Sequence, residues 1–484
     1  MTTPKNLLFL LSDNHARGYL GAYGHPDAKM PNLDQLAARG VRFDNAYSAS
    51  PLCCPARAAI ATGRYPHQTG IWDNAIVYEG QVASWMHRLR DAGHPVVSVG
   101  KLHFRENTPA NGFSEEIHPM HILDGKGGVH MLLRGVDAEP HNRAQWDLYA
   151  TRSGIGEAPY QPFDRKISAA AIEWLKTTGA GAAQPWVLFV SYPSPHPPFS
   201  VPAEFYNLFD EASVTLPTTA PFDAANEHPA IAHFRDNHGS DQTMDEAALR
   251  KVVTGYLGLL AHLDNEIGLV LGALDDAGLA SDTRVLYTSD HGEMCGVHGL
   301  FGKCCLYEES IGVPLVMAGP DIPAGRVVKQ ITSHVDLFPT VLESAGVSLS
   351  SSDADLPGVS LWPAIGEAEE DRVGFAEYHA AGSKTGMFML RDGDWKLIYY
   401  VGMAPQLFNL EHDPEEKSDL GADHPKAKAL EARLREICDP EAVDAQAKAD
   451  QRAWIERWGG TAAIMAEGAL VYTPPPGGTA EIQH

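Results

Sequence analysis

The chain has 484 residues, about three times the ~150 usual for one domain, so a large domain with a smaller companion is expected. Hydrophobic residues make up 44% and charged residues 20%, which excludes a disordered chain. With 37 Lys and Arg against 62 Asp and Glu the net charge is −25, so the basic stripe of a phosphate-backbone reader is lacking and nucleic acid is not an expected partner.

The first element is the run Leu7-Leu8-Phe9-Leu10-Leu11, followed by Ser12-Asp13-Asn14. It is too short for a signal-peptide core or a membrane span and suits a buried parallel strand ending at a carboxylate. A cytoplasmic protein with no membrane partner is the expectation. The same grammar recurs. Pro95–Val99 leads into Gly100-Lys101-Leu102-His103, Trp186–Val190 into Ser194-Pro195-His196, and Arg284–Thr288 into Ser289-Asp290-His291-Gly292-Glu293. Helical patterns lie between these runs, at Leu33–Arg39, Val82–Ala92, Ile167–Lys176 and, longest, Asp245–Ala277. Alternating strands and helices predict an α/β fold with a large, mostly parallel sheet sandwiched by helices. In such sheets ligands sit outside the carboxyl ends of the strands. One ionisable residue after a strand is ordinary solvation, but here four strand ends deliver Asp, Asn, Lys, His, His, Asp and His.

Beyond about residue 365 the texture changes. Met387–Arg391, Trp395–Tyr400 and Gln406–Leu410 read as hairpin strands separated by Asp392-Gly393-Asp394 and Gly402–Pro405, and a helix carrying Leu430, Leu434 and Ile437 follows. We therefore divide the chain into a catalytic α/β domain, 1–365, and a smaller α+β subdomain, 366–484. The latter holds a small antiparallel sheet with a packed helix. Tyr472–Gly478 is Pro-rich and reads as a frayed tail or as an arm on a neighbouring subunit. Six cysteines in so long a chain make no disulfide framework, and none has Cys-x-x-Cys spacing.

Ser50–Arg64 is the most informative stretch. Pro55 suits a first helical turn, Ala56–Ala61 form helix well and Gly63 suits the C-terminal cap, so Cys53 falls at a helix N-terminus, where unpaired N–H groups favour an anion. Cys53-Cys54-Pro55-Ala56-Arg57, ending in Thr62-Gly63-Arg64, resembles the signature of the type I sulfatases, within the alkaline phosphatase superfamily. Gly100-Lys101-Leu102-His103, Asp290–Glu293 through His298–Lys303, and Leu407–Glu415 resemble further motifs of that family.

The resemblance implies that Cys53 is oxidised after synthesis to formylglycine by a formylglycine-generating or sulfatase-maturating enzyme. It implies hydrolysis of sulfate monoesters through a covalent sulfo-enzyme intermediate: one hydroxyl of the hydrated aldehyde attacks sulfur, and a base takes the proton of the other so that sulfate departs. Arg57 and Lys101 would hold those hydroxyls and His103 would be the base. Lys303 and His196 would bind sulfate oxygens, one or the other would protonate the leaving alcohol, and Asn74 would face the substrate oxyanion. Asp13, Asn14, Asp290 and His291, with the modified Cys53, would hold one divalent cation. Oxygen donors point to Ca²⁺, with Mn²⁺ or Mg²⁺ as alternatives because His291 is softer. Relatives are often homodimers or homotetramers.

Phosphonate monoester hydrolases and phosphodiesterases share the Cys-x-Pro-x-Arg element but lack the Lys and His of Gly-Lys-x-His, so Lys101 and His103 favour sulfate, with some promiscuity toward phosphate or phosphonate esters. Ser50–Cys53, the surroundings of Asn74, and Glu377–Ser383 resemble the choline sulfatase branch, which makes Glu377 a candidate for meeting a cationic alcohol; an aryl sulfate is equally admissible. A non-catalytic, metal-binding relative is the remaining alternative.

Overall fold

The computed structural model describes residues 3–135, 144–217, 227–240 and 244–484. Eight strands form the main sheet: β1 (Asn6–Ser12), β2 (Gly40–Phe43), β3 (Val96–Lys101), β4 (Glu115–Met120), β5 (Val187–Ser191), β6 (Thr283–Ser289), β7 (Leu315–Ala318) and β8 (Arg326–Val328). Their spatial order is β8-β2-β7-β6-β1-β5-β3-β4, and only β7 runs antiparallel to its neighbours. The α/β sandwich read from the sequence is the observed fold.

Strand β1 shows why its sequence is apolar throughout. Leu8 and Leu10 enter one buried cluster, while Leu7, Phe9 and Leu11 enter another on the opposite face. A strand covered on both sides cannot alternate with polar residues. Helices α2 (Tyr160–Trp174) and α3 (Glu246–Asp276) cover the first face. Helix α3 is long and apolar enough to cross a membrane, yet 78% of its most apolar window is buried inside the molecule. Its start is set by Asp245, whose side chain accepts from the Ala248 N–H. Helices α1 (Cys53–Thr62) and α4 (Leu337–Ser344) lie on the other face.

The second sheet is a meander of β9 (Val373–Tyr378), β10 (Met387–Asp392), β11 (Trp395–Tyr400) and β12 (Gln406–Asn409), backed by α5 (Pro425–Ile437). Strand β9 is an addition to the expected three. So are β2, β4, β7 and β8 in the main sheet, none of which carries a long apolar run. Strand β4 is the clearest case: Glu-Glu-Ile-His-Pro-Met is polar because it forms an exposed edge, where Pro119 removes no needed ladder bond. Helix α6 (Pro440–Arg457) follows α5.

The C-terminal stretch is ordered against its own chain, unlike a frayed tail. Ala469–Leu470 pairs antiparallel with Ile482–Gln483, the Gln145 amide donates to the Val471 carbonyl at 2.8 Å, and the Tyr160 hydroxyl donates to the Thr473 carbonyl at 2.8 Å. Tyr160 also meets Tyr472 edge to face.

The two sheets are joined by charge. Lys396 of β11 is fully buried, with Nζ 2.9 Å from Glu308 and 2.7 Å from Glu416. Arg17 Nη2 and the Tyr47 hydroxyl also donate to Glu308. Burial would raise the Glu308 carboxyl, but Lys396 and Arg17 overcome it and hold it low, while burial and the Glu308 charge push Glu416 up to about 7. Removing one partner of a buried pair costs about 3–5 kcal/mol because the other charge stays behind. Lys396→Met should therefore lower the unfolding midpoint markedly in thermal or urea melts; an unchanged midpoint would show that the cluster does not tie the sheets together.

Candidate active site

Strands β6, β1, β5 and β3 lie side by side in that order, so their carboxyl ends deliver residues to one place. Helix α1 enters there from the other side. Ala58, Ile60 and Ala61 pack under the main sheet while Ala59 packs under the small one, and every residue of α1 is buried. Gly63 ends the helix in the left-handed conformation (φ 66°), its N–H bonded to the Ala59 carbonyl, as its sequence position predicts.

Arg57, one turn into α1, is the centre of the cluster. Its Nε donates to Asp290 Oδ2 at 2.8 Å and its Nη2 to Asp13 Oδ2 at 2.9 Å, while Nη1 donates to the Lys101 carbonyl at 2.7 Å and Ser191 Oγ at 2.9 Å. The guanidinium thus clamps the two carboxylates. Lys101 Nζ sits 2.7 Å from Asp13 Oδ2, both side chains fully buried. Gly100, at φ 97°, lets the end of β3 lie close to β5: a Cβ there would stand 2.3 Å from the Ser191 carbonyl oxygen.

Cys53 Sγ lies 3.2 Å from His291 Nε2 and 3.9 Å from Asp13 Oδ1. The ligating atoms of Asp13, Cys53, Asp290 and His291 all fall within 4.8 Å of one another. The His291 Nδ1–H donates to the Gly292 carbonyl at 3.0 Å, so Nε2 presents its lone pair to the cluster, the arrangement of a metal-ligating imidazole. Burial would raise Asp13, but Lys101, His196 and Arg57 hold it well below the usual carboxylate range. Asp290 is pushed up to about 7 by burial and by the charge of Asp13. Two buried carboxylates this close invite a cation. The carboxylates and imidazole fit a divalent ion; the thiol is the one soft donor, and an oxygen in its place would complete the set.

Asn14 lies beside this cluster at φ 78°. Its Oδ1 accepts from Lys303 Nζ at 3.2 Å and its Nδ2 donates to Glu293 Oε2 at 2.5 Å. Glu293 was only part of a motif in the sequence and carries no expected role, yet it organises the loop that holds Lys303. It also accepts from the backbone N–H groups of Cys295 and Gly302.

His103, His196, Lys303 and Asn74 line a cavity together with Cys53. His103 sits in the left-handed region (φ 56°), and neither of its ring nitrogens has a partner among the described residues. Burial, then Lys101 and Arg57, lower its basicity, so it is neutral and able to accept a proton. Burial, Lys303 and Lys101 do the same to His196. Its Nδ1–H donates to the Pro197 carbonyl, which directs the lone pair to Nε2. Asn74 Oδ1 accepts from the Cys54 N–H at 3.1 Å, leaving its NH₂ as the donor half. Glu377 is not brought to this place. It is fully buried elsewhere, accepting from the His67 N–H at 2.8 Å and pairing with His379 Nε2 at 2.9 Å, and it does not line the cavity.

A family model described as Sulfatase matches residues 5–347, and one described as N-sulphoglucosamine sulphohydrolase, C-terminal, matches residues 296–441. The chain belongs to the sulfatase family, hydrolases of sulfuric esters. It is 32% identical to the choline-sulfatase of Rhizobium meliloti (strain 1021), covering 94% of this chain and 91% of that protein. It is 28% identical to arylsulfatase K of Bos taurus, covering 94% and 85%. Among solved structures, the phosphonate monoester hydrolase of Agrobacterium radiobacter superposes with a TM-score of 0.73 at 25% identity, covering 92% of this chain and 96% of that one. Membership implies a divalent metal and a formylglycine.

Ligand binding to the native state alone stabilises by about 2.7 kcal/mol at a hundred times the dissociation constant. Protein stripped with a chelator should therefore melt at a higher temperature once Ca²⁺, Mn²⁺ or Mg²⁺ is returned, and Asp290→Asn should abolish that shift. An equal shift in Asp290→Asn would place the ion elsewhere.

Proposed function

We propose that this protein is a formylglycine-dependent sulfatase that hydrolyses sulfate monoesters of small alcohols or phenols. The observation that carries this reading is the convergence of Cys53, Asp13, Asp290 and His291 within 4.8 Å beneath a cavity walled by His103, His196 and Lys303. Asp13, Asp290 and His291, with residue 53, would hold the divalent ion, which would supply positive charge to the sulfate oxygens and to the nucleophile. Oxidised by a maturating enzyme, Cys53 would supply an oxygen nucleophile with a second hydroxyl for release of the enzyme.

The rest is work for ordinary side chains. Lys303 and Lys101 bring fixed positive charge against an anionic substrate in a water-poor site, where such charge acts strongly. Arg57 holds Asp13 and Asp290 in place as the substrate's charge arrives. His103, neutral and without a partner among the described residues, is the group suited to take a proton at residue 53. His196, whose Nε2 is free of the Pro197 carbonyl, faces the cavity and suits the leaving oxygen when protonated.

The second reading, a phosphonate monoester hydrolase, is favoured by the likeness to that Agrobacterium structure. Lys101 and His103 argue for sulfate. The two readings separate on matched aryl sulfate and aryl phosphonate esters assayed with matured protein. The sulfate ester should be the better substrate by kcat/KM, and Cys53→Ala should lose at least about a thousandfold in kcat. A phosphonate preference would favour the second reading, and near-normal rates in Cys53→Ala would refute both.

A further inference from the structure

The lining of the cavity includes a histidine to which the proposed reaction gives no role. His130 lies on a short turn, Val129–Leu132, and is 4% exposed. It lines the cavity, and neither ring nitrogen has a hydrogen-bond partner among the described residues. A buried polar group left unpaired is costly, so a side chain that lines a cavity and carries two buried, unpartnered nitrogens is suited to a ligand that enters it.

The turn is held firmly in place. Gly127 adopts φ 67° and lies so close to Asn74 that a Cβ there would stand 2.2 Å from the Asn74 carbonyl oxygen; the Gly128 N–H donates to that same carbonyl at 3.1 Å. Val129 and Leu132 pack with Ala447, Ile455 and Ile464 of the C-terminal helices. Asn74 in turn caps the first turn of α1, so His130 is tied through one residue to the helix that presents Cys53. Leu470–Thr473 closes the cavity, fixed by Gln145 and Tyr160. Burial, with His238 nearby, lowers His130 to about 4, so at neutral pH the ring offers one N–H and one lone pair. Among the described residues lining the cavity there is no Asp or Glu.

We propose that His130 recognises the alcohol part of the ester by hydrogen-bonding a hydroxyl on it, so that the preferred substrates are sulfate monoesters of uncharged, hydroxyl-bearing alcohols, not of quaternary ammonium alcohols. This rests on the sulfatase reading above. A trimethylammonium head would meet no carboxylate among the described residues that line the cavity, and Glu377 is occupied elsewhere by His67 and His379. A second hydroxyl would satisfy a ring that has no partner among the described residues, and sites that hydrogen-bond a substrate hydroxyl reject analogues lacking it.

The test uses the full, matured chain with glycerol 1-sulfate, propyl sulfate and choline sulfate, following sulfate release. Wild-type protein should favour glycerol 1-sulfate over propyl sulfate by about tenfold or more in kcat/KM. In His130→Phe that ratio should collapse toward one, with the loss carried by KM, and His130→Gln, which keeps a donor and an acceptor, should restore most of it. An unchanged ratio in His130→Phe and His130→Gln, or choline sulfate as the best of the three esters for wild-type protein, would overturn the proposal. Release of sulfate from none of the three by protein whose Cys53 is oxidised would instead count against the sulfatase reading beneath it.

Discussion

Two carboxylates at adjacent strand ends, Asp13 and Asp290, are forced together in the interior, and one guanidinium holds them there. Everything else at the site follows from that constraint. Bare, the pair would repel in a medium of low dielectric constant. Arg57 relieves part of the repulsion and Lys101 more, yet Asp290 is still pushed up to about 7. The residual negative field is what makes this place fit for a divalent ion. The surrounding cations in turn make it fit for an anionic ester.

The fold serves this pair. A parallel sheet aligns its strand ends, so Asp13, Lys101, Ser191 and Asp290 arrive from four neighbouring strands without any long excursion of chain. Helix α1 is wedged between two sheets, which fixes Arg57 and Cys53 relative to the carboxylates more rigidly than a surface loop would. The small sheet contributes by closing the far side of α1, and its buried Lys396 pairs with Glu308 and Glu416.

Much of this was legible in the sequence, for identifiable reasons. Strands buried on both faces advertise themselves as apolar runs, so β1, β3, β5 and β6 and the polar residues after them could be read directly. Edge and short strands could not: β4 is polar and β9 is interrupted by Gly374. The chemistry of Cys53, Asp13, Asp290 and His291 was visible because it lies in compact motifs. Roles set by three-dimensional contact were not. Glu377 sits in a segment resembling a substrate-binding one, but its two oxygens are taken by His67 and His379. His130 reads as an ordinary core histidine until it is found lining the cavity with no partner among the described residues. The Pro-rich end gave no sign that it would fold back over the strand ends, because its partners Gln145 and Tyr160 lie more than three hundred residues earlier.

The central claim is that residue 53 acts as an oxygen donor between a metal ion and a basic pocket. Mass spectrometry of the tryptic peptide ending at Arg57, from protein made alongside a maturating enzyme, tests it most directly. The account predicts that sulfur is lost from residue 53 and an aldehyde oxygen gained, with Cys54 still a thiol. Fully active protein carrying an intact Cys53 thiol would contradict it.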